Sequence, residues 1–217
     1  MSVFATAGLN LPYQVTLGPE GDLYVCNGGA SNIVVLYQFT GQVARHFGDG
    51  VVRPRDAAFG ADGALYVADY IAGALRFDPA TGSFLGAFCS PTNFATPTGA
   101  YGLCFGPDGN LYVSDSGNKR VLRFNGTNGV LLNQFASGGG LDNPVGLRFG
   151  GDGHLYVVSN NWYGTGRQCV IRYNGTTGAF MDQFATGGIT TSWGISFLAF
   201  TPPPPPCTPL PAGAVAW

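Results

Sequence analysis

The chain has 217 residues, a net charge of −2 and only 10% charged residues, against about 25% in a typical soluble domain. It is long enough to bury a sizeable core, and it has no cluster of Lys and Arg of the kind a nucleic-acid partner requires. One lysine (Lys119) and one glutamate (Glu20) leave little to cover helix surfaces. By contrast, 35 Gly, 15 Pro and 13% aromatics suit short strands joined by tight turns. No apolar run is long enough for a membrane helix, and the first residues, "MSVFATAGLNLPYQV", carry neither the basic nor the apolar segment of a signal peptide.

In chain order, "VFATAG" comes first. It matches "QFASGG" and "QFATGG" further on and is read as a lone strand D, the last strand of a repeat with no repeat of its own. Four complete units follow, over about residues 11–47, 53–88, 99–135 and 143–184. Each holds "LYV", starting at Leu23, Leu65, Leu111 and Leu155, after a turn such as "GPDGN". A second turn ends in Gly41, Gly82, Gly129 or Gly178, and a Phe stands six positions beyond, at Phe47, Phe88, Phe135 and Phe184. A period in the mid-forties with four strand signals per unit predicts β-propeller blades, each an antiparallel meander of strands A to D. In the third unit the strands are expected at 101–105, 111–115, 119–124 and 130–135. "LYV" is apolar on both faces of its strand, as blades stacked face to face require. "SWGISF" (192–197) is read as a lone strand A, which closes the propeller region at about residue 200. The remaining stretch, 201–217, is a Pro-rich linker and tail. It opens on "TPPPPPC", a semi-rigid spacer.

The strand, turn and spacing pattern resembles the NHL-repeat family of β-propellers, most closely in "LYVSDSGNKRVLRF" (Leu111 to Phe124). The resemblance covers about residues 4 to 197. It weakens elsewhere: the Asp115 position is Asn27, Asp69 and Ser159 in the other units, and Ala72 and Ala74 replace the Asn118 and Arg120 positions in the second. The resemblance implies about six blades in a usual ring, so four units with two lone strands predict an incomplete arc from a truncated gene product. Its open blade edges are expected to self-associate. Related propellers include lactonases, lyases, binding scaffolds and RNA readers. The tail "PLPAGAVAW" resembles the opening of bacterial PEP-CTERM sorting signals, which implies an exported, cell-surface parent protein.

Propeller geometry places the B–C loops and D–A connections on one face and the A–B and C–D turns on the other. Two lengthened segments, "NNWYGTGRQ" (160–168) and "CSPTNFATPTGAYG" (89–102), fall on the first face. Loops that grow on a rigid scaffold are where binding usually sits. Trp162, Tyr163, Arg167 and Phe94 are therefore expected on its rim. The channel mouth should be lined from the strands A by Gln14, Asp56, Gly102, Gly146 and Gly194. Asp56 lies with Arg53 and Arg55 in the densest charge cluster, either as a local salt bridge or as an anion-binding point.

Asp69 and Asp115, with Asn27 and Ser159, form the weak candidate for a cation site. Calcium wants six to eight oxygens, however, and Asx side chains at a repeated position more simply tie down loop backbone. No cofactor is therefore expected, with calcium as the open alternative. The two histidines are placed away from the loop face, His46 on an outer strand and His154 in an A–B turn, which argues against lyase chemistry. The five cysteines show no CxxC spacing and are read as buried thiols. The expected function is a non-catalytic scaffold that binds a ligand or a protein or glycan partner through the loop face. The alternatives are a metal-dependent lactonase- or lyase-like enzyme and a purely structural surface protein.

Overall fold

The computed structural model describes residues 5, 7–94, 99–160, 168–186 and 195. It is an all-β, four-bladed propeller of four antiparallel four-stranded sheets. Blade 1 is β1 (Pro12–Leu17), β2 (Leu23–Asn27), β3 (Asn32–Leu36) and β4 (Val43–Phe47). Blade 2 is β5 (Pro54–Phe59), β6 (Leu65–Asp69), β7 (Gly73–Phe77) and β8 (Phe84–Cys89). Blade 3 is β9 (Ala100–Phe105), β10 (Leu111–Asp115), β11 (Arg120–Phe124) and β12 (Leu131–Ser137). Blade 4 is β13 (Pro144–Phe149), β14 (Leu155–Ser159), β15 (Cys169–Tyr173) and β16 (Phe180–Thr186). Within each blade the strands pair in chain order, and the predicted bounds of the third unit hold to within two residues. Both lone strands lie outside the described residues, Ala5, Ala7, Gly8 and Ile195 apart.

The second strands are buried on both sides, as the "LYV" pattern requires: every residue of β6, β10 and β14 is buried. Blade 1 packs Tyr24, Cys26, Ile33 and Val35 onto Ala57, Leu65, Val67, Leu75 and Phe77 of blade 2. Its other face carries Val15 and Leu17, 49% and 61% exposed, beside a smaller cluster of Val25, Val34 and Leu36. On blades 2, 3 and 4 that same face is covered by the preceding blade.

A repeated polar clamp marks the turn face. The second-strand tyrosines Tyr66, Tyr112 and Tyr156 donate to Asp62, Asp108 and Asp152 at 2.9, 3.0 and 2.8 Å. The same three carboxylates accept a backbone N–H two residues on, so each side chain forms its own turn as well. Cross-strand from each tyrosine stands an arginine, Arg76, Arg123 or Arg172. Blade 1 has Val35 at that place, and Arg45, one strand further out, donates to the Tyr24 hydroxyl at 2.8 Å. The rings of Tyr24, Tyr66 and Tyr112 meet the Phe of their own fourth strand and of the next inner strand edge-on, and Tyr156 meets Phe184 of its own; for Tyr66 the partners are Phe88 (4.8 Å) and Phe105 (5.0 Å).

Burial pulls these aspartates up, but their hydrogen bonds, helped by Arg76 at Asp62, Arg123 at Asp108 and His154 at Asp152, outweigh it and leave all three below the usual carboxylate range. Burial first, then the adjacent carboxylate, pushes Tyr66 and Tyr112 up to about 12. A lowered carboxylate contributes stability that is complete above its unfolded value and is lost as pH falls through its folded value. A raised tyrosine contributes stability that is lost as pH rises past its unfolded value. Urea midpoints should therefore be flat near neutrality, fall below about pH 4 and fall again above about pH 10, from the ordinary Asp and Tyr values. Asp62→Asn combined with Asp108→Asn should shallow the acid limb. An acid limb of unchanged slope would contradict the clamp's role.

Candidate functional site

The four inner strands converge on a closed centre. Gln14, Asp56, Gly102 and Gly146 line it, around a cavity of only ≈ 10 Å³, room for about one water; Gly194, the fifth residue expected there, lies outside the described residues. Glycine is required there: a Cβ on Gly102 would sit 2.2 Å from the Val145 carbonyl oxygen. What closes the centre is an ion pair. Arg148 of blade 4 reaches across blade 3 and grips the Asp56 carboxylate of blade 2 with two hydrogen bonds, 2.9 and 3.0 Å. Asp56 also accepts the N–H groups of Leu103 and Ala57, and Arg148 donates to the carbonyls of Leu103 and Leu147. The local salt bridge expected from Arg53 and Arg55 is thus replaced by a partner 92 residues away. The Asp56 carboxylate is engaged inside the fold and does not face a ligand.

The repeated Asx position also works differently from expectation. Asp69 is fully buried. One oxygen accepts from Ile71 and Ala72 of its own B–C loop (2.9 and 2.8 Å), as anticipated. The other accepts from Val52 and Arg53 of the D–A connection (2.8 and 2.7 Å), which the sequence did not reveal. Asn27 accepts from Asn10, and Ser159 from Asp142, in the corresponding places. Asp115 accepts from Asn118 and pairs with Arg120 at 2.8 Å. These side chains lock the loop face. The N–H groups on Asp69 point at the very oxygens a cation would need.

Phe94 is a correction. The lengthened connection after β8 folds back through a short 3₁₀ turn, Pro91–Asn93, capped by Ser90. Phe94 is thereby tucked against Phe124 (ring centroids 5.8 Å apart) in the core between blades 2 and 3, only 6% exposed, and is not on the rim. Trp162, Tyr163 and Arg167 lie outside the described residues.

Arg55 does reach the loop face. Its guanidinium lies 3.9 Å from the Tyr13 ring centroid and about 5 Å from those of Tyr70 and Tyr101, so three blades contribute rings around one cation. The cage depends on Gly28, where a Cβ would sit 2.6 Å from the Tyr13 ring. Beside it a cavity of ≈ 480 Å³ opens between the loops of blades 1 and 2, lined by Tyr13, Gly28, Ser31, Val52, Arg53 and Arg55 among others. A larger cleft, ≈ 760 Å³, lies on the turn face between blades 2 and 3. Its Asp62, Arg76 and Asp108 are already paired in the clamps, so it presents no charge free to hold a ligand.

His46 is exposed on β4, and His154 sits in the turn before β14, accepting from the Gly175 N–H; neither reaches the loop face. The four described cysteines, Cys26, Cys89, Cys104 and Cys169, are free and buried, and burial raises every one of these thiols, Cys104 to about 12. They are held as inert packing groups.

Residues 98–124, from β9 to β11, match the family model described as NHL repeat. No curated protein matches the chain. Among solved structures, it is similar to a catalytically inactive virginiamycin B lyase from Staphylococcus aureus with quinupristin. The identity is 20% and the TM-score 0.58, over 76% of this chain and 53% of that one. It is also similar to Kuenenia stuttgartiensis hydrazine synthase (18%, TM-score 0.62, 82% and 49%). A third is an auxiliary nutrient binding protein from Bacteroides ovatus (18%, TM-score 0.60, 78% and 40%). The chain spans about half the length of the first two. Together the repeat match and these neighbours support an NHL-type propeller. At such identities the likeness concerns the fold alone.

Proposed function

We propose that this chain is a binding scaffold: a propeller that holds a ligand, or a protein or glycan partner, on its loop face without transforming it. The observation that carries this reading is the exposed cavity between blades 1 and 2, where Arg53 and Arg55 face outward from a backbone locked by Asp69. Rigid walls with a few placed polar groups are what a recognition site needs. The segment 160–168, with Trp162, Tyr163 and Arg167, extends the same reading to the rim. The tail's likeness to a sorting signal suggests an exported, surface-linked bacterial protein.

The second reading, a lyase- or lactonase-like enzyme, is favoured by the likeness to virginiamycin B lyase. Against it stands the position of both histidines away from the loop face, since general acid–base catalysis needs its groups within hydrogen-bond reach of the substrate. The test is a screen of soluble glycans and peptides, each hit being mapped by backbone amide shifts and incubated to detect turnover. Shifts confined to the loop face, with the hit recovered unchanged, are expected. A hit consumed by the protein would favour the enzyme.

A further inference from the structure

We propose that the cavity between blades 1 and 2 is a subsite for an anionic oxygen group, a carboxylate or phosphate, carried on an organic body about the size of a monosaccharide. This deepens the scaffold reading and rests on it. The charge pattern is the first argument. Of the nine described cations, seven have a carboxylate partner within 4.0 Å. The two that have none are Arg53 and Arg55, and both line this one cavity. Neither guanidinium donates to a described acceptor, and the Arg55 Nε is buried with no hydrogen-bond partner.

Of the carboxylates close in sequence, Asp49 is exposed and forms no ion pair with either arginine, and the other two are already engaged. Asp56 is committed to Arg148, and both Asp69 oxygens are taken up by backbone N–H groups, those of Val52 and Arg53 included. In a chain of net charge −2, two such groups side by side form a local positive site. A guanidinium presents a planar fork that matches carboxylate and phosphate oxygens.

The walls are preformed. Ser31 donates to the Val52 carbonyl at 2.7 Å, which ties the B–C loop of blade 1 to the D–A connection of blade 2 across the cavity. Asp69 fixes that connection from behind, and the rings of Tyr13, Tyr70 and Tyr101, set edge-on to one another about Tyr101, hold Arg55 in place. Tyr13 and Val52 add an apolar flank beside the charge. A volume of ≈ 480 Å³ lies within the range of about 300–1,000 Å³ typical of small-molecule sites.

The experiment is calorimetric titration of the full chain with glucuronate, glucose 6-phosphate, glucose and inorganic phosphate, repeated with Arg53→Gln and Arg55→Lys. At least one of the two sugar anions should bind, more weakly as NaCl is raised, and glucose should not. Arg53 is exposed, so R53Q should keep the wild-type melting temperature and lose at least tenfold in affinity. R55K keeps the charge but not the fork and should also weaken binding. The proposal is overturned if neither sugar anion binds, if glucose binds as well as glucuronate, if inorganic phosphate alone binds as tightly as glucose 6-phosphate, or if R53Q binds as wild type. A screening hit that maps to the loop face while the sugar anions fail would leave the scaffold reading standing and remove only this subsite.

Discussion

Replacing Asp56 with Ala should cost about 3–5 kcal/mol of stability, the usual penalty for leaving one member of a buried ion pair without its partner. The pair sits where three blades meet: Asp56 on β5, Arg148 on β13, and the Leu103 backbone of β9 bonded to both. Removing the carboxylate leaves a guanidinium in a centre with room for about one water. Removing both charges is a different matter, because no uncompensated ion remains. The double variant Asp56→Ala, Arg148→Met should therefore recover most of what Asp56→Ala loses. Urea denaturation of the two single variants and the double variant reads the coupling. A single variant within about 1 kcal/mol of wild type, the low end of typical mutational effects, would show that the pair does not hold the blades together.

Asp69→Ala should be comparably damaging, for a different reason. Its two oxygens satisfy four backbone N–H groups, and hydrogen bonds to a charged group contribute about 1.5–3 kcal/mol each, less than additively when they share one acceptor. A loss of about 3–5 kcal/mol follows, in the range of a broken buried network. Asp69→Asn is the sharper variant. It keeps one carbonyl oxygen but turns an NH₂ toward two N–H donors, so it should fall between Ala and wild type. The effect should also be local. Amides of Val52, Arg53, Ile71 and Ala72 should lose hydrogen-exchange protection more than those of β10 or β14. Wild-type stability in Asp69→Asn would mean that the loop face is not held by this carboxylate. The link to function is direct, since Val52 and Arg53 form one wall of the candidate site.

The blades were legible because they are repeated. "LYV" with its flanking turns gave β10 at residues 111–115, and the column of Gln14, Asp56, Gly102 and Gly146 led to the propeller's centre. Aspartates such as Asp108 were readable as turn formers, but a single unit does not show that the same carboxylate also holds a tyrosine and an arginine from two neighbouring strands. The Asp56 partner is not legible near it in sequence, because Arg148 lies 92 residues away. A signal existed: Arg148 occupies the place that the other units give to Thr16, Ala58 and Cys104, all short side chains. One long arginine in a column of small residues can reach the centre.

Phe94 was misplaced because length alone says that a connection is longer, not which way it folds. Here a 3₁₀ turn sends the ring inward. The tyrosine cage around Arg55 draws on β1, the loop after β6 and β9, a convergence of three blades that no local pattern encodes. The isolation of Arg53 and Arg55 is likewise a property of the folded chain, in which the other seven described cations each meet a carboxylate.

Amide shift mapping of a screening hit tests the central claim most directly, because the two faces of the propeller carry separate reporters. The scaffold account predicts perturbation of Gly28, Gly29, Ser31, Val52 and Arg53, around the cavity between blades 1 and 2. Perturbation centred instead on Asp62, Asp108, Gly109 and Thr127, around the cleft of the turn face, would contradict it.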